Sequence, residues 1–167
     1  MPDELLKALQ HSDFANWVQQ SAYPFVITAH SIGLATLVGL LVVIDLRVLG
    51  FATGLPLTAL RRFMTVVWTG FWVNATSGFM LFAIDAKKDY YSTLFRLKLS
   101  LIAVGLILGS IITSKVLRRE DLYAAPGARA PAQARALAAL SLVCWASAIV
   151  TGRLLAYFTY GDVGVDD

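Results

Sequence analysis

Charge is what this sequence has least of. Only 15% of its 167 residues are Asp, Glu, Lys or Arg, against roughly 25% in an ordinary soluble domain. Histidine is nearly absent, with His11 and His30 alone, and there is one cysteine, Cys144. A lone cysteine excludes an intramolecular disulfide, and two histidines leave a zinc site short of ligands. Copper fares little better: softer metals want Cys and Met, and Met64 and Met80 fall toward opposite membrane faces. No Gly-rich phosphate loop and no nucleophile–base constellation occurs. The excess of 14 Lys and Arg over 11 Asp and Glu is small, with no basic stripe interleaved with aromatics, so nucleic acid is not an expected partner. A secretory leader is missing too. Residues 1–20, "MPDELLKALQHSDFANWVQQ", have no basic stretch leading into an apolar one, so the first hydrophobic segment is expected to remain in the chain.

What the chain does have is hydrocarbon. It is 57% hydrophobic with a mean hydropathy of +0.67. Four apolar stretches, near residues 24–45, 63–84, 94–114 and 136–158, each approach or exceed the ~20 residues that carry a helix across a ~30 Å core. The links between them, "GFATGLPLT", "DAKKDYYS" and "REDLYAAPGARAPAQAR", are short and rich in turn residues. These features predict an all-α fold: one integral membrane domain over residues 1–167, a four-helix antiparallel bundle running up-down-up-down. Residues 3–20 predict a short interfacial helix, with Leu5, Leu6, Leu9, Trp17 and Val18 on one flank and His11 exposed.

Orientation follows from Lys and Arg near the span ends. The first and third links collect Arg47, Arg61, Arg62, Lys115, Arg118, Arg119, Arg129 and Arg135; the other side has Lys7, Lys87, Lys88, Arg96 and Arg153. Both termini are therefore expected outside, which in a bacterial inner membrane is the periplasm. Asp45 and Arg47 read as the inner boundary of the first span, with Asp45 placed to pair with Arg61 or Arg62.

With that topology, His30, Asn74, Lys98 and Arg153 come from four different spans to a similar depth in the outer half. Ionisable groups inside a membrane normally face the bundle interior or a wet cavity. Small residues accompany them: Gly78 beside Asn74 on the second span, and Gly105 with Gly109 one face along from Lys98 on the third. Such glycines serve close helix packing or leave room for a flat macrocycle. Haem b suits this set, because a neutral imidazole is a common axial ligand and basic groups pair its propionates. His30 is the expected iron ligand, opposed by Lys98 or unopposed; Arg153 is a propionate partner, and Asn74, Gly78 and Gly105 line the pocket. A lysine ligates only when neutral, a form that burial favours.

The segments "HSIGLATLVGLLVVIDLRVLG", "LRRFMTVVWTGFWVNATSGFMLF", "FRLKLSLI" and "SLVCWASAIVTGRLLAY" resemble an uncharacterised family of small bacterial four-helix membrane proteins, over about residues 20–160. More remotely, the first three are similar to HemJ-type protoporphyrinogen oxidases and to CopD membrane domains. The HemJ resemblance implies haem b held by His30 and Lys98, with Arg47 as the first-helix arginine. The fourth segment departs from it: "TGRLLAY" stands where an Asn-Glu-Pro-type sequence would precede the span, so the resemblance carries haem binding and not the oxidase activity. The expected function is electron transfer or a redox reaction, with a membrane redox partner or a second copy of the chain. The alternative is a non-enzymatic or transport-type subunit whose buried polar residues only fix helix packing.

Overall fold

In the computed structural model, residues 2–119, 122, 125 and 127–158 are described, 156 and 158 by backbone only. Part of the third link and the acidic tail with Asp162, Asp166 and Asp167 lie outside them. The described residues are helical throughout, without strands. They form α1 (Pro2–Gln10), α2 (Asp13–Trp17), α3 (Tyr23–Leu49), α4 (Met64–Ile84), α5 (Ala86–Tyr91), α6 (Thr93–Ile112) and α7 (Ala132–Phe158). A π-helical turn, Val18–Ala22, joins α2 to α3; a 3-10 turn, Leu57–Phe63, leads into α4; and a second π turn, Thr113–Leu117, extends α6.

Four of these helical runs, Asp13–Leu49, Leu57–Ile84, Thr93–Leu117 and Ala132–Leu155, are long and apolar enough to cross a membrane. The local chemistry explains their ends. Pro24 occupies the first turn of α3, where its missing N–H costs nothing. Gly50 closes that helix at φ +114°, its N–H bonding the Arg47 carbonyl at 3.1 Å while Phe51 N–H bonds Leu46 at 3.0 Å; only glycine takes this left-handed position cheaply. Ser92 caps α6, its Oγ accepting from Phe95 N–H at 3.3 Å.

The bundle is two hairpins, α3 with α4 and α6 with α7, joined where α3 packs on α7, whereas α4 and α6 make little backbone contact. Glycines set the first hairpin. A Cβ on Gly33 would stand 2.8 Å from Asn74 N and 3.1 Å from Gly70 O, so the two backbones nearly touch there. In the second hairpin a Cβ on Gly105 would meet the Trp145 indole at 2.8 Å. This is small-residue packing, which operates where hydrophobicity cannot drive helices together.

The two ends of the bundle differ. At the end carrying the first and third links (the Arg47 end), Ile44, Val48, Leu57, Leu60, Ile112, Val116 and Leu117 form a dry core with Ala130, Ala134 and Ala138. A second cluster, Leu37, Val38, Leu41, Val67 and Trp145, seals the middle. At the α5 end the buried cluster shrinks to Val18, Ala22 and Val26. There α1 lies on α5, tied by Tyr91 Oη donating to Asp3 at 2.9 Å and Lys87 N–H donating to Gln10 at 3.3 Å. The expected apolar flank of the N-terminal segment divides: Leu6 and Val18 turn inward, while Leu5 and Trp17 are exposed. His11 is exposed, as expected.

Asp45 and Arg47 lie near the end of the first span, Asp13–Leu49, and both are interior residues, 1% and 2% exposed. Arg47 Nε donates to Leu55 O at 2.6 Å, and Nη2 donates to Thr53 O at 3.3 Å and Ala128 O at 3.1 Å. The guanidinium thus staples the first link to the third. Its planar fork of donors suits several carbonyls at once. Asp45 turns toward Ser141 of α7, while Arg61 and Arg62 are exposed. Asp45 Oδ2 and Ser141 Oγ are both left without a hydrogen bond among the described residues.

Candidate functional site

His30 sits near the α5 end of α3, half-buried against α4. Its Nδ1 is 3.1 Å from the Asn74 carbonyl oxygen and 3.1 Å from Ser77 Oγ. A carbonyl oxygen can only accept, so that contact requires the proton on Nδ1. Ser77 Oγ is occupied as a donor to Val73 O at 2.6 Å, which leaves it an acceptor toward the imidazole as well. Asn74 completes the tie by donating its Nδ2–H to His30 O at 2.9 Å. The described ring contacts all run through Nδ1, Asn74 Nδ2 lying 3.3 Å from it as well; with the proton on Nδ1 the Nε2 lone pair is available. A Cβ on Gly78 would lie 3.1 Å from His30 Cε1; glycine there makes room for the ring.

Lys98, on α6, extends toward α7. Its stem and ammonium lie 3.5–3.7 Å from where a Gly152 Cβ would be, so Gly152 serves as a groove for the chain of methylenes. It stands close enough to His30 for the two to interact electrostatically.

Two chambers meet at this layer. The larger, ≈ 710 Å³, fills the cleft between α4 and α6 and is walled by Phe71, Phe79, Phe82 and Phe95. The smaller, ≈ 330 Å³, lies between α3, α6 and α7 beneath α5. His30, Asn74, Gly78 and Lys98 line both. Five of the six residues expected from the sequence thus line the smaller chamber, and four of them line both. Arg153 borders only the smaller chamber and is exposed. Gly105 borders neither, its space being taken by Trp145.

Sequence reasoning missed two charged residues here. Arg96, counted only as an orientation signal, lines the larger chamber. Asp89, inside a link that read as a plain turn, lines the smaller one. Burial pushes the Asp89 carboxyl up to about 6, helped by Asp85 and opposed by Lys88 and Lys98. Phe82 and Phe95 stack at 5.4 Å and 19° between α4 and α6. They bracket the link that carries Asp89.

Among the described residues no group of three or more His, Cys, Asp and Glu side chains converges. A metal at His30 therefore needs most of its ligands from a group that brings its own. No family model matches this chain, and no curated protein or solved structure matches it.

Proposed function

We propose that the chain is a haem b protein of a bacterial inner membrane, with both termini on the periplasmic side, serving electron transfer or a membrane redox reaction. The observation that carries this reading is the imidazole of His30: fixed through Nδ1 to α4, with Nε2 left over, at the wall of a chamber of ≈ 710 Å³. Haem-ligating histidines are commonly held in this way by a carbonyl on the second nitrogen. The volume lies within the range of cofactor sites, ≈ 300–1,000 Å³, and the smaller chamber at ≈ 330 Å³ is near its lower limit. The aromatic wall suits a flat macrocycle. Haem b supplies a one-electron iron couple.

In this reading His30 would hold the iron, and Asn74 and Ser77 orient its ring. Lys98 and Arg96 are the cations nearest the larger chamber for propionates, Arg153 serving only from the smaller one. Lys98 as a second iron ligand is an open role, and Gly105 has none.

The absorption spectrum of the purified, haem-supplemented protein tests the proposal. A Soret band with a reduced α-band that His30→Ala abolishes is expected. A colourless protein, or a spectrum indifferent to His30→Ala, overturns it. The hydrogen bonds that join His30 to Asn74 and Ser77 also favour the second reading, in which this layer only locks α3 to α4. That reading expects His30→Ala to lower stability with no chromophore lost.

A further inference from the structure

The smaller chamber differs in character from the larger one beside it. Its upper wall is polar, with Asp89 from α5, Arg153 from α7 and Lys98 from α6; Asn74 and His30 stand below them. Its floor is Ile102 and Trp145, and beneath that the cluster of Leu37, Val38, Leu41 and Val67 closes the bundle. At ≈ 330 Å³ it has room for about ten waters at the liquid's share of ≈ 30 Å³ each. Waters persist in a cavity when each finds two to four polar partners, and these side chains provide them. A cavity with polar side chains at its α5 end and apolar ones closing its floor offers water a dead-end passage.

We propose that this chamber is an aqueous half-channel, by which water and its protons reach the His30–Lys98 layer from the α5 end and go no farther, with Asp89 at its mouth. Charged groups face Asp89 from every side. Asp85 and Lys88 flank it on α5, and Lys98 approaches from α6. His30 and Arg153 share the chamber wall from α3 and α7. Asp3 and Lys7 belong to α1, which packs on the other side of α5. A carboxylate in this position offsets Lys98 and keeps the passage hospitable to cations, hydronium included. The inference stands on the chamber and its lining, independently of whether haem is bound.

Cysteine accessibility in liposomes tests it. With Cys144→Ala as background, Ala148→Cys puts a thiol into the chamber wall, and Ala146→Cys puts one at similar depth on the exposed face of α7. A small cationic methanethiosulfonate is expected to modify Ala148→Cys at least tenfold faster than Ala146→Cys. Adding Asp89→Asn is expected to lower the ratio of cationic to anionic reagent rates several-fold. Should Ala148→Cys not fold, Leu34→Cys, half-buried and also in the chamber wall, takes its place. Equal rates at the two positions overturn the half-channel, and an unchanged charge ratio overturns Asp89 as its mouth. A colourless protein that still shows the labelling pattern separates failure of the haem proposal from failure of this one.

Discussion

The Arg47 end and the α5 end of the bundle handle buried polarity in opposite ways. At the first, a guanidinium is wholly interior, yet three backbone carbonyls receive its hydrogen bonds and a dry aliphatic core surrounds it. At the second, His30 and Lys98 are only half-buried, and the space beside them is hollow. The lesson is that a charged residue in an apolar helix marks a structural fastening where its partners are backbone groups of nearby links. It marks a candidate site where its remaining valence faces a cavity. Asp45 complicates the tidy end: it is as buried as Arg47, but one oxygen has no hydrogen-bond partner among the described residues. We have no physical account of that orphan.

The contrast can be broken most forcefully at Arg47. Arg47→Ala strips the carbonyls of Leu55, Thr53 and Ala128 of their donor, and a hydrogen bond to a charged group contributes about 1.5–3 kcal/mol. A loss of about 3 kcal/mol or more is expected, with the first and third links detached. The buried thiol of Cys144 is a built-in reporter: thermal unfolding followed by a thiol-reactive dye should show a large drop in Tm. Arg47→Lys, with one compact ammonium in place of a fork, should recover only part of it. A Tm indifferent to both changes would remove the staple.

A smaller effect is expected at the crossing of α3 and α4. Gly33→Ala drives a methyl to 2.8 Å from the Asn74 backbone, and overpacking of this kind costs about 1–3 kcal/mol. Because helix separation also breaks the Asn74–His30 bond, the variant should lose both stability and any haem signal. Gly39→Ala is the control: its added methyl meets nothing within 4 Å, so no loss of stability is expected.

His30→Ala should be milder still, at about 1 kcal/mol for the lost hydrogen bonds, since it enlarges a region already hollow. If it proves as costly in Tm as Arg47→Ala, the α5 end is a packing core like the other and the comparison fails.

The smallest effect is a pH slope from Asp89. Its carboxyl moves from 3.8 up to about 6 in the folded chain, so the native state holds its proton over a window where the unfolded state has released it. Stability therefore falls as pH rises from about 4 to about 6, and is level above that. Tm measured across that range should decline in the parent and flatten in Asp89→Asn; parallel curves would place Asp89 in water.

Much of the helix layout was legible because it depends on local composition. Four apolar runs of sufficient length, punctuated by Gly50, Pro56 and Ser92, fix helices and turns with little reference to one another. The depth of His30, Asn74 and Lys98 was legible for the same reason, since residue counts along a helix convert directly to height. Rotation about each axis was not. The spans are apolar on nearly every face, so no stripe told which way Gly105, Arg153, Arg96 or Asp45 would turn.

The sequence by itself determined an all-α chain with four apolar helices long enough to cross a membrane, and the common level of its intramembrane polar groups. Tertiary structure alone decided that Arg47 is a fastening rather than an anchor. It also decided that Gly105 is filled by Trp145 while Gly78 yields to His30, and that Asp89 and Lys98 line one chamber. The physical reason is that burial of a side chain depends on neighbours distant in sequence. Hydropathy, by contrast, is a property of each segment alone.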